Sequence, residues 1–134
     1  MKVKTLYGLI VALALVLIAG FANADEMTLA GDITTDMTLT ADTVWVLDGL
    51  VAVKDGAVLT IEEGTTILGK SGTGANTSYL VIDKDSQIIA DGTEANPIIF
   101  TSETAYNGGA EAPGQWGGLT IIGNAADVSV AAGE

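Results

Sequence analysis

The chain has 134 residues, with five lysines, no arginine, 17 acidic residues, no histidine and no cysteine. Without Cys or His there is no zinc finger, disulfide framework, cysteine nucleophile or His-based triad. A formal charge of −12 argues against phosphate-directed nucleic-acid binding, and a hydrophobic share of 49% excludes a wholly disordered chain.

Residues 1–24 read as a helical secretory signal peptide. Lys2 and Lys4 give a short positive start, and Leu6 to Phe21 is a nearly unbroken apolar run. Ala22-Asn23-Ala24 then supplies small residues at the cleavage position, ahead of Asp25-Glu26. The alternative is an uncleaved membrane anchor, but the run has 16 residues where a spanning helix needs roughly 20. No cysteine follows the run, so the lipoprotein route is excluded. Cleavage after Ala24 leaves 110 residues with three lysines against 17 acids, a formal charge of −14. The expected location is extracellular or on the outer cell surface, with the periplasm as the alternative.

After Ala24 the helix signals stop. Short β-branched runs alternate with Gly, Asp, Asn and Ser, which is the pattern of many short strands. The spacing predicts strands at Thr43–Leu47, Leu50–Val53, Val58–Ile61, Thr65–Leu68, Tyr79–Ile82, Gln87–Ala90, Ile98–Thr101 and Gly118–Ile122. Another is expected to start at Val128–Val130. Residues 25–49 are expected to form an N-terminal cap segment, and residues 50–134 the coils that follow it.

The run repeats. Leu50–Val53 matches Tyr79–Ile82 at an offset of 29, and Thr66–Leu68 matches Ile98–Phe100 at 32. Lys54-Asp55 recurs as Lys84-Asp85 at 30, and Gly64-Thr65 as Gly92-Thr93 at 28. An insertion from Glu103 to Gln115 precedes a third unit at Gly118–Ile122. Three short strands per repeat predict an all-β right-handed parallel β-helix, each strand pairing with its counterpart one repeat later. An antiparallel sandwich is the rival reading. Leu59 and Ile61 are expected to face inward, whereas the Ile88-Ile89 pair leaves the register of its strand open.

The strings Trp45–Gly56 with Leu59–Thr65, Ala90–Thr93 with Pro97–Ser102, and Gly114–Leu119 carry a resemblance. They resemble the N-terminal part of a family of secreted bacterial β-helix proteins found in Bacteroidetes and marine bacteria. That family lies within the pectate-lyase-like right-handed β-helices. The resemblance covers roughly residues 31–126. It implies fold and location more than chemistry, since the activity of most members is unassigned. Members are typically several hundred residues long, so the chain is expected to be the start of a longer protein, truncated before any C-terminal cap.

Four motifs bear on function. Gly64–Ser71 fits the phosphate-loop pattern, but its four central residues read as a strand and no helix follows. No nucleotide is therefore expected. Lyases of this fold class use Ca²⁺-binding carboxylates and a basic Arg or Lys, whereas here Lys54, Lys70 and Lys84 are the only cations after the signal. Lys54 and Lys84 adjoin acids, as solvated corners do. No catalytic residue can be singled out. Asp83, Asp85 and Asp91 are weak Ca²⁺ candidates if they meet at one corner. Tyr106 and Trp116 are weak glycan-contact candidates, though Trp116 is better read as packing over the coil entrance. Three roles stand: a surface scaffold, adhesive or glycan-binding; the N-terminal fragment of a polysaccharide-degrading enzyme; and a short self-associating solenoid.

Overall fold

The computed structural model describes residues 24–123. Nine strands run through them: β1 (Asp25–Ile33), β2 (Met37–Leu39), β3 (Thr43–Val53), β4 (Val58–Ile61), β5 (Thr66–Gly69), β6 (Tyr79–Ile82), β7 (Gln87–Ala90), β8 (Ile99–Ser102) and β9 (Gly118–Ile121). One helical turn, α1 (Glu103–Tyr106), and a 3-10 turn at Gly74–Asn76 interrupt them. The expected segment at Val128–Val130 lies outside the described residues, as does the signal segment up to residue 23. Among the described residues no helix is long and apolar enough to cross a membrane.

Every strand pairing is parallel. The pairings sort the chain into coils with three faces. The first face stacks Asp25–Leu29, Thr43–Leu47, β5 and β8. The second stacks Gly31–Ile33, Leu50–Val53, β6 and β9. The third stacks β2, β4 and β7. The chain is a parallel β-helix.

The interior follows from alternation. Along β4, Val58-Leu59-Thr60-Ile61, the second and fourth residues are buried and the first and third are half-buried. Rows of inward side chains then stack from coil to coil. Trp45 lies over Ile67 and Phe100, Val51 over Leu80, Val53 over Ile82, and Leu59 over Ile88. Leu47, Val51, Val53, Leu59, Ile67 and Leu80 are fully buried. Ile88 packs on this core while Ile89 is 49% exposed, which settles the register of β7.

Three expectations change. Residues 25–39 are a complete coil in register with the next one, rather than a separate cap, because β1 and β2 pair with β3 and β4 along all three faces. The segments Thr43–Leu47 and Leu50–Val53 form one strand bent at a corner, where Gly49 takes φ +73°. The repeat offset is not constant. Leu50 pairs with Tyr79 as expected, but Thr66 pairs with Ile99, one position beyond the sequence match. The recurring Lys-Asp pairs also miss by one. Ala57 N–H donates to Lys54 O and Ser86 N–H to Asp83 O, so the two turns superpose with Asp83, not Lys84, over Lys54.

Candidate functional site

The corner between the first and second faces lengthens with each coil. It is Ala30 in the first coil and Asp48-Gly49 in the second. It becomes residues 70–78 in the third and 103–117 in the fourth. These connections project from one edge of the solenoid and lie against one another. Ser71 Oγ and Thr104 Oγ1 are 2.7 Å apart, linking the third and fourth corners. Gly49 N–H donates to Ser78 Oγ at 3.0 Å, linking the second and third. Lys70 Nζ pairs with Asp48 Oδ2 at 2.8 Å. That hydrogen bond, and then the charge of Asp48, raise the Lys70 pKa above its ordinary 10.5. Both side chains are about half exposed, so the pair is a weak tether.

The corners also fold back onto the outside of the first face. The 3-10 turn lies against β3, and α1 against β5 and β8. Val44, Val46 and Leu68 point outward on that face, yet they are buried as a second small cluster. The first face is therefore apolar on both sides, as the unbroken run Val44-Trp45-Val46-Leu47 requires.

Where the described residues end, the interior of the last coil opens as a cleft of about 500 Å³ between inward-facing residues of β8 and the fourth corner. Phe100 and Trp116 form its apolar wall, their rings parallel within 2° and their centroids 6.5 Å apart. Ser102, Gln115, Glu111 and Pro113 line the rest. Gln115 holds the loop closed: its Oε1 accepts from Ser102 Oγ at 2.6 Å, and its Nε2 donates to Ala110 O at 2.7 Å. Ser102 also caps α1, accepting from Ala105 N–H at 3.0 Å. Trp116 is fixed from the coil below. A Cβ added to Gly69 would stand 2.5 Å from Trp116 Cβ, so the tryptophan occupies the space that glycine leaves empty.

The expected site residues part company here. Trp116 reaches the cleft, but it is half-buried and its position comes from packing on Phe100 and Gly69. Tyr106 ends α1 on the same corner and is 51% exposed. Asp83 and Asp85 belong to the corner before β7 and Asp91 to the corner after it. The intervening strand of four residues holds them roughly 13 Å or more apart along the chain. The three are not gathered for Ca²⁺, and among the described residues no three such groups could hold a metal ion. Lys54 pairs with Asp32 at 3.2 Å, an acid one coil earlier rather than its sequence neighbour Asp55. In the phosphate-loop string, Thr66–Gly69 is strand β5, and its backbone is committed to β3 and β8.

Ser102, Gln115 and Gly69 carry the geometry of the cleft, although composition and motif spacing did not mark them. The one available signal was a glycine ending the strand run Thr66–Gly69, since glycine in a strand marks close approach of another group. Among the described residues that line the cleft, Glu111 is the ionisable one.

Comparison of the chain with curated proteins and with solved structures gave no match. The family model described as "pectate-lyase like beta helix domain" matches residues 31–133. That match runs from the corner glycine of the first coil through the lengthening corner, and it agrees with the parallel three-faced coil. The chain therefore belongs to the pectate-lyase-like β-helix domain family.

Proposed function

We propose that the chain is part of an exported β-helix scaffold that contacts neutral glycans through its lengthening corner. The progressive growth of that corner carries this reading. The other two corners of the same coils stay short or lengthen less, at residues 54–57, 83–86, 62–65 and 91–98. Among the described residues, the growing corner carries the exposed ring of Tyr106 together with the hydroxyl of Thr104, the amide of Gln115 and the carboxyl of Glu111, a composition that suits sugar rings and their hydroxyls. The net charge of −12 and the carboxylate of Glu111 disfavour polyuronates and favour uncharged polysaccharide.

A glycan array probed with the folded protein tests this reading. Binding to neutral oligosaccharides is expected, with Tyr106→Ala and Glu111→Gln each weakening it by about fivefold. No binding to any glycan, or binding that both substitutions leave unchanged, removes the reading. Export is tested separately by N-terminal sequencing of the secreted protein, which is expected to begin at Asp25.

A further inference from the structure

Asn107 is the only asparagine in the chain that precedes a glycine. An Asn-Gly step is reactive because glycine puts no side chain in the way of its backbone nitrogen as that nitrogen approaches the asparagine carboxamide. Here the step forms the C-terminal cap of α1. Asn107 is the capping residue, with φ −82° and ψ 14°. Gly108 takes φ +83°. Its N–H donates to Ala105 O at 3.0 Å, and Gly109 N–H donates to Thr104 O at 2.9 Å. These two bonds make a Schellman motif. A Cβ at position 109 would stand 2.7 Å from Thr104 Cγ2, so the closed motif fits only glycine there. The Asn107 side chain itself is exposed.

We propose that Asn107-Gly108 is a self-modification site gated by the cap of α1, protected while the cap is closed and converted to aspartate and isoaspartate when it opens. Gly108 N attacks Asn107 Cγ. The N–Cγ bond forms, the bond from Cγ to the side-chain nitrogen breaks, and ammonia leaves with the proton from Gly108 N. One water then opens the cyclic imide. Attack at Cγ gives aspartate. Attack at the main-chain carbonyl gives isoaspartate, with the chain running on through the former side chain.

The closed cap opposes both requirements of ring closure. Gly108 N–H is held as a donor to Ala105 O, which disfavours loss of its proton. The nitrogen must also swing to eclipse Asn107 Cβ, a large rotation of ψ away from its present value. That rotation breaks both Schellman bonds. Either product adds a negative charge to a chain already at −12. The isoaspartyl product also adds a main-chain carbon, so the cap cannot re-form. The isoaspartyl branch is a one-way release of the corner that carries the cleft.

The test follows deamidation over time in the folded protein, in the protein unfolded in urea, and in the synthetic peptide Thr104–Glu111. Cleavage after Glu103 and Glu111 isolates that same peptide from the protein. Conversion adds about 1 Da, and isoaspartate is resolved chromatographically. The folded protein is expected to convert at least about tenfold more slowly than the peptide, with the unfolded protein matching the peptide. Ser102→Ala, which removes the cap at the other end of α1, is expected to speed conversion in protein shown by thermal melting to be folded. Equal rates in folded protein and peptide overturn the gating, and so does an unchanged rate in folded Ser102→Ala. Failure of the unfolded protein to convert overturns the site. If Ser102→Ala does not fold, the comparison of folded protein with peptide decides the gating alone.

Discussion

Gly69 and Trp116 form one packing unit contributed by two coils. The glycine ends β5 at an inward position, where Leu47 stands in the coil before and Ser102 in the coil after. Its missing side chain leaves room for an indole from the long fourth corner. Gly69→Ala puts a methyl group into that indole. Overpacking of this kind costs roughly 1–3 kcal/mol. The substitution is expected to lower the thermal midpoint and to shift tryptophan emission to longer wavelength as Trp116 is expelled. Trp45 is buried and serves as an internal reference. An unchanged spectrum would show that the corner does not depend on this contact. Asp42 makes a second prediction at this scale. Hydrogen bonds from Thr40 Oγ1 and Thr43 Oγ1 lower its pKa below the ordinary 3.8. A lowered folded-state pKa contributes stability above the unfolded value and loses it as pH falls through the folded one. The midpoint of the native protein is therefore expected to exceed that of Asp42→Asn at neutral pH. The gap should close as pH drops below the carboxylate range. A gap that widens in acid contradicts the assignment.

At the scale of the element, alternation decides which substitutions matter. Ile88 and Ile89 are neighbours in β7 with opposite environments. Ile89→Ala on the exposed face is expected to change stability by less than about 0.5 kcal/mol. Ile88→Ala removes a side chain packed on the interior and is expected to cost about 2 kcal/mol. Denaturant titration of the two variants tests the register directly, since a slip of one residue would reverse their order. The elements also explain why the lysines find partners across coils. Stacked corners bring residues 22 positions apart within ion-pair distance, as in Lys54–Asp32 and Lys70–Asp48. Both pairs are exposed and tether the corners without holding the coils together. Removing either lysine is expected to leave the unfolding midpoint within measurement error.

At the scale of the whole molecule, stacked interior rows oppose a strong like charge. Among the described residues, 15 acids against three lysines lie on a narrow coil. Screening of that repulsion should stabilise the fold as the Debye length shortens from about 30 Å at 0.01 M salt to about 8 Å at 0.15 M. The thermal midpoint is expected to rise over that range. A fall would mean that the few ion pairs outweigh the repulsion. Because each coil rests only on its neighbours, truncating one interior row is expected to loosen adjacent coils first, a pattern that hydrogen exchange resolves.

The sequence by itself determined the strand-rich class, the three-strand repeat and the parallel coil. Those follow from side-chain alternation and turn chemistry, which act over a few residues. Val58–Ile61, Tyr79–Ile82 and Gln87–Ala90 were legible to the residue because glycines, aspartates and serines bound them. The first coil was not legible. Asp25–Ile33 carries acids at several positions and becomes a strand only by pairing with β3. The exact offsets were hidden too, because corners of unequal length shift the register without disturbing alternation. The candidate site was the least legible part. Tyr106 and Trp116 were visible as aromatics in a loop, but nothing local told a packed tryptophan from an exposed tyrosine. Only the tertiary structure decided these points, because stacking coils joins residues far apart in the chain, as Gly69 meets Trp116 and Ser71 meets Thr104.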